Sequence, residues 1–237
     1  MYHCHRRLAV ILALMSVSFT SLTSLAGNTG VKVGAALPQW EVAWNQNQPL
    51  ALVASPSFAI NLVQEFTLGS YLSIQLEPGY SRMAMDLDFR KSELERLANT
   101  TFPTTLPDRI SYTHTLYSVR CPLLAKIAFR ESGIRPYLLA GPDIDISLSA
   151  RVTTNIDTTN FTLPKSIDIT PQARSTVFSF IAGAGLEIQL PLSINLVMDA
   201  RYVFTPNDVS SLSMFGTSLG GVQADNIMIM AGVTFGL

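Results

Sequence analysis

Nine ionisable side chains fall at one phase of a two-residue alternation: Lys32, Glu77, Arg120, Lys126, Asp143, Asp145, Glu187, Asp199 and Arg201. Their neighbours at the other phase are apolar, as where Asn195, Val197, Asp199 and Arg201 interleave with Ile194, Leu196, Met198, Ala200 and Tyr202. Five acids and four bases on a common surface can act as an acid pair in catalysis, hold a cation, or neutralise one another. Asp143 and Asp145, two apart on one face, are the best placed to hold a cation. Pairing with Arg120 or Arg201 is the simpler expectation, because a charge withdrawn from water is costly unless an opposite charge stands in for the water. His114 is the one histidine beyond residue 5. A lipid hydrolase or acyltransferase would need it beside a serine or carboxylate at the lipid boundary. By alternation His114 shares a face with Tyr112, Leu116 and Ser118, which suits a hydrogen-bonded interior or rim histidine. No His, Cys or carboxylate spacing suggests a metal site. Gly183-Ala184-Gly185 is followed by no helix that would make it a phosphate loop. The pattern nominates a structural ion-pair network and assigns no catalytic residue, metal or cofactor.

The elements that must position these residues are strands, since strict alternation sends successive side chains to opposite faces of a sheet. Strands are expected over residues 29–37, 57–66, 71–84, 111–129, 134–148, 175–190, 192–202 and 225–237. Pro78, inside the third, calls for a local bulge because it removes a ladder donor. Short turns are expected at 67–70, 130–133 and around Leu190-Pro191-Leu192. Long connections fill 38–56, 85–110, 149–174 and 203–224. Within the second of these, 88–98 has helix-forming composition with Asp88 as its cap. Long and short connections thus alternate.

Compartment follows from the first residues. His5, Arg6 and Arg7 precede the apolar run 8–19, and Ser24-Leu25-Ala26 has the small-x-small form of a cleavage site, so 1–26 reads as a secretory signal peptide and 27–237 as the mature domain. Cys121 is the one cysteine left after cleavage, so no internal disulfide can form. Charged residues make up 14% of the chain and mean hydropathy is +0.29, yet beyond the signal no apolar run is long enough for a membrane helix. Hydrophobicity dispersed by alternation is what a membrane barrel requires, because lipid leaves no backbone group to be satisfied by water. The expected fold is therefore all-β, an eight-stranded antiparallel up-and-down transmembrane β-barrel. Its charges point inward, and the bore of eight strands is only wide enough for side chains to fill. Trp40, Trp44, Tyr80, Tyr202 and Phe235 are the expected aromatics of the membrane–water boundary. A net charge of −1 offers nothing to nucleic acid.

Several short motifs carry a family resemblance: Gly30-Val31-Lys32-Val33-Gly34, Gln75-Leu76-Glu77-Pro78-Gly79-Tyr80-Ser81, Cys121-Pro122-Leu123-Leu124, Leu139-Ala140-Gly141-Pro142, and Gly183-Ala184-Gly185-Leu186-Glu187 followed by Asp199-Ala200-Arg201-Tyr202. In order and spacing the chain resembles the porin-like, PorT-type outer-membrane barrels common in Bacteroidetes. The resemblance implies a periplasmic amino terminus, extracellular long loops and insertion by the barrel-assembly machinery. It departs at the end of the chain, where Leu237 stands in place of the usual terminal aromatic and Phe235 lies two positions earlier.

Three function classes follow. The first is a non-enzymatic barrel with a filled lumen, surrounded by outer-membrane lipid, whose loops bind a protein or glycan or stabilise the envelope. The second is a narrow channel for small solutes, and the third is a lipid-modifying enzyme. Arg90, Lys91, Arg96 and Arg109 in the second long connection suit either lipopolysaccharide phosphates or an ordinary solvated surface.

Overall fold

Alternating sequences cannot bury one face of a lone strand, so they assemble into a sheet whose two faces see different surroundings. The computed structural model describes residues 27–44, 51–92, 95, 101, 107–129, 133–154, 166–214 and 217–236. Among them, twelve strand segments form one antiparallel sheet. In chain order these are β1 (Asn28–Trp44), β2 (Ala51–Thr67), β3 (Leu72–Leu76), β4 (Gly79–Arg90), β5 (Arg109–Arg120), β6 (Leu123–Ala128), β7 (Ile134–Thr154), β8 (Ser166–Asp168), β9 (Thr176–Leu190), β10 (Ile194–Phe204), β11 (Ser210–Met214) and β12 (Thr217–Gly236). Eight staves make the wall: β1, β2, β3 with β4, β5 with β6, β7, β9, β10 and β12. Each pairs with the next along the chain, and β1 closes the ring on β12 from Asn28 opposite Gly236 to Trp44 opposite Gly220. The fold is an eight-stranded antiparallel up-and-down β-barrel. No helix among the described residues is long and apolar enough to cross a membrane.

Two staves are interrupted by proline. Pro78 separates β3 from β4, and Pro122 separates β5 from β6. The wall stays closed because neighbouring donors reach across the gaps. Leu62 N–H donates to the Pro78 carbonyl (2.9 Å), Glu77 N–H to that of Pro122 (3.0 Å) and Cys121 N–H to that of Ile144 (2.9 Å). At one end of the barrel lie the chain's first strand residue, its last, and the tight turns. One turn is the short 3-10 segment Pro191–Ser193, in which Leu192 (φ 65°) and Ser193 (φ 57°) adopt left-handed backbone to reverse direction at once.

At the other end the strands run further than their sequence pattern suggests. The expected connection 38–56 shrinks to 45–50, and Trp40 and Trp44 are strand residues of β1, opposite Ala224 and Gly220. The expected connection 85–110 begins only after Arg90 and ends before Arg109. Asp88 is no helix cap: it sits in β4 and accepts a hydrogen bond from Ser111 Oγ at 2.5 Å across the β4–β5 pair. Residues 91, 92 and 95 are helical, and most of the remainder of that expected helix, with Arg96, lies outside the described residues. β7 continues to Thr154 and gains β8 as a partner, while β11 and the start of β12 occupy much of 203–224. The expected signal peptide, 1–26, also lies outside the described residues.

These extensions escaped the pattern because polarity swaps faces along them. From the tight turns to about the level of Ser118, the outside is apolar (Val33, Ile60, Leu138, Phe178, Met198 and Ile229 are exposed) and the inside carries the charged and polar side chains, with a smaller apolar cluster that includes Leu124, Leu139 and Met230 among them. Above that level β4 buries Met85, Leu87 and Phe89 and turns Asp86, Asp88 and Arg90 outward, without any change in the alternation itself. Ile110, Tyr112, Leu116, Val152, Val177 and Val222 complete the apolar interior there, with Ile169 and Val209 reaching in from the connections. Ile169 is held by its own N–H on the Ala150 carbonyl (2.9 Å). The next residue, Thr170, donates its hydroxyl (2.5 Å) and its amide (2.9 Å) to Asp168, which holds that exposed carboxyl below the usual range.

Candidate functional site

A charge can face inward in an eight-stranded barrel only if the opposite wall supplies its counter-charge, because the bore leaves no room for bulk water. The central group shows how this is done. Lys32 of β1 donates to Glu77 (2.8 Å) and to Asp199 of β10 (2.9 Å). Arg201, two residues along β10, places both terminal nitrogens on Glu77 (2.6 and 3.0 Å) and also pairs with Asp199. The bidentate fork suits a carboxylate better than a lysine point charge would. Tyr137 of β7 donates its hydroxyl to Asp199 (2.9 Å), and Asn61 of β2 its amide to Glu77 (3.3 Å). Two bases meet two acids, so the group is neutral, and its four charged side chains are at most 2% exposed.

Large side chains fit into this section because small ones stand beside them. A Cβ on Gly185 would lie 2.4 Å from the Tyr137 ring, and one on Gly232 would lie 2.8 Å from Lys32 Cγ. The inward glycines are thus spacers for the neighbouring stave's bulk, which is the physical content of Gly183-Ala184-Gly185 in β9 and of Gly232 in β12.

A second group lies nearer the tight turns. Lys126 of β6 donates to Glu187 of β9 (2.5 Å) and to both oxygens of Glu65 (3.1 and 3.3 Å), and its ammonium lies 4.7 Å from the centre of the Tyr137 ring. Arg135 pairs with Glu187 at 2.9 Å, while Ser73 (2.6 Å) and Gln75 (2.9 Å) donate to Glu65. This group too has two bases and two acids. Glu65 and Arg135 were not among the residues nominated from sequence. Both lie at the inward phase, Glu65 four beyond Asn61 in β2 and Arg135 two before Tyr137 in β7. Both fall inside the expected strands 57–66 and 134–148, and following each alternation to the end of its strand finds them.

The third group sits above the centre, where the interior turns apolar. Arg120 closes on Asp143 through Nε (3.0 Å) and one terminal nitrogen, and its other terminal nitrogen lies 2.9 Å from the Met228 sulfur. Asp145 accepts from Ser118 Oγ at 3.1 Å, and Ser118 shares a 2.8 Å hydrogen bond with Ser81. His114 is inward and fully buried four residues above Ser118 in β5, within the apolar section. All nine nominated charges therefore face the bore, and each is engaged by at least one partner from another stave.

The nominated aromatics divide. Tyr80 stacks between Phe58 (6.2 Å between centroids) and Tyr117 (6.4 Å) on the outer surface, and Tyr202 is exposed with its hydroxyl 2.5 Å from Asp225. Both mark the level at which polarity swaps. Phe235 faces outward near the opposite rim, in register with Thr29 and Ile194. The side chains of Trp40 and Trp44 lie outside what is described.

No group of three or more His, Cys, Asp or Glu side chains able to hold a metal occurs among the described residues. In sequence, the family profile described as outer membrane protein beta-barrel domain matches residues 21–210. No curated protein matches the chain. In structure, it is similar to the outer membrane protein OprG of Pseudomonas aeruginosa (TM-score 0.50, 11% identity, 90% of this chain and 96% of that one). It is also similar to Neisserial surface protein A (0.48, 14%, 90% and 98%) and to outer membrane protein W of E. coli (0.45, 14%, 90% and 98%). At such identities these likenesses speak to fold alone. The family match covers most of the chain and agrees with an apolar outer band on closed staves: the protein belongs to the outer-membrane β-barrel domain family and is integral to that membrane.

Proposed function

We propose that the protein is a non-enzymatic envelope barrel whose bore is shut by its own side chains and whose work is done by the strand extensions and loops at the end opposite the tight turns. One observation carries this reading. Side chains from β1, β2, β7, β10 and the β3–β4 stave meet in a single neutral hydrogen-bonded group across the bore, with Lys32 and Glu77 wholly buried. In this reading the amino terminus is periplasmic and the long end extracellular, where a protein or glycan is bound. Outer-membrane lipid surrounds the apolar band, and the barrel-assembly machinery inserts the chain. A finer kinship with PorT-type barrels rests on the order of the sequence motifs. The competing reading is a narrow channel for small solutes. Purified protein in planar bilayers decides between them: the closed barrel gives no recurring open steps, and reproducible steps from the wild-type protein overturn it. Unchanged lipid A and phospholipid profiles on overexpression are expected of a protein without lipid chemistry.

A further inference from the structure

The three inward groups differ in charge. The two lower ones are neutral, whereas in the third a single base, Arg120, pairs with Asp143 and stands opposite Asp145, and no other charged residue among those described lines the space beside them. That space is a cavity of about 20 Å³, enough for one particle the size of a water molecule. Asp143 Oδ1 and Asp145 Oδ1 from β7 and Asn226 Oδ1 from β12 belong to residues lining it, are buried, and have no hydrogen-bond partner. All three are acceptors. Ser179 and Thr205, bonded to one another at 3.1 Å, add two hydroxyl oxygens to the same lining.

The possible occupants can be separated by what they satisfy. A water molecule donates to two oxygens and leaves the excess negative charge in place. A proton on Asp145 cancels the charge and leaves the other two oxygens without partners. A divalent cation converts the excess into a positive one. A monovalent cation supplies the missing charge and engages several oxygens together, and an all-oxygen lining is the donor set that hard cations take.

We propose that this cavity is a binding site for one sodium-sized monovalent cation, held by Asp143, Asp145 and Asn226 above the Arg120 pair. The site does not depend on the bore being closed, so a positive conductance result bears on the proposed function and not on this one. The test is thermal unfolding of the full barrel in lipid vesicles, in sodium chloride against N-methylglucamine chloride at equal ionic strength. The wild-type midpoint is expected to be higher by about 3 °C or more in sodium and to rise with its logarithm, as mass action requires of a ligand that binds only the folded state. Asp145→Asn removes the excess charge with little change of shape and is expected to unfold at one temperature in both salts. Asn226→Leu keeps the charge and deletes one oxygen, and is expected to need about ten-fold more sodium for half the shift, the equivalent of one lost ligand. A wild-type protein that melts identically in both salts overturns the proposal, and so does an Asp145→Asn protein that keeps the full sodium shift, since the ion then acts elsewhere.

Discussion

The lower and upper halves of the barrel are built from the same staves and solve opposite problems. Below Ser118 the outer face meets acyl chains, so apolar side chains there gain nothing from leaving water, and cohesion comes from the closed backbone ladder, the buried ion pairs inside and the small apolar cluster packed beside them. Above it, outward Asp86, Asp88, Ser111, Thr113 and Arg151 mark a wall in water, and Met85, Leu87, Phe89 and Leu116 inside form a core of the kind soluble barrels use. The alternation never changes phase in β4, yet its chemistry is exchanged end for end. Solvent outside the wall, rather than strand geometry, decides which face of an alternating strand is greasy.

That contrast can be broken by finding that both halves respond alike. The largest effect is expected in the lower half. Glu77→Ala deprives Lys32 of one of two acids and Arg201 of two hydrogen bonds, all out of contact with water, and should cost about 3–5 kcal/mol. Urea unfolding in lipid vesicles, followed by tryptophan fluorescence, measures it. Adding Lys32→Met to Glu77→Ala should restore part of the loss, because the surplus positive charge is what hurts. A double variant as unstable as the two single costs summed would mean that the group is not coupled. Leu116→Ala, in the upper half, should cost about 3 kcal/mol through a cavity. Its signature is regional: amide exchange quickens in 83–90 and 109–116 and stays slow in 123–128 and 194–201. Uniform quickening would show a single cooperative unit and defeat the division.

The same contrast explains what could be read in advance. The barrel, its closure order and its inward charges were legible because, in the lower half, apolar and charged residues alternate as lipid and lumen demand. The upper extensions read as connections in the sequence, since Asp86, Asp88 and Arg90 have the character of loop residues wherever the outer face is expected to be apolar. The alternation of Met85, Leu87 and Phe89 with them was visible throughout and needed only to be read with the faces exchanged. Which inward residues pair was not legible. Lys32 could have met any acid, and only the register of β1 against β12 and of β12 against β10 brings it to Asp199.

An arginine placed on the outer face sharpens the boundary. Leu138→Arg, half-exposed on the lower half of β7, should cost about 2–3 kcal/mol in bilayers, the depth-dependent penalty for a charge among acyl chains. Thr113→Arg on the outer face of β5 should stay within about 0.5 kcal/mol, as ordinary surface substitutions do. Equal costs at the two positions would place lipid along the whole wall.

The smallest effect probes the boundary itself. Tyr202 has an apolar ring on the side of the acyl chains and a hydroxyl 2.5 Å from Asp225, the arrangement an interfacial aromatic needs, with one end dry and the other wet. Tyr202→Phe removes that hydrogen bond to a carboxylate and should cost about 1 kcal/mol. The value should depend on bilayer thickness in a defined direction. In thin bilayers water satisfies Asp225 and the cost falls, whereas longer acyl chains draw the lipid rim toward Asp225 and the lost donor matters more. A cost that is the same at every chain length would place the edge of the lipid away from Tyr202, and the two halves would then have to be divided at some other level than Ser118.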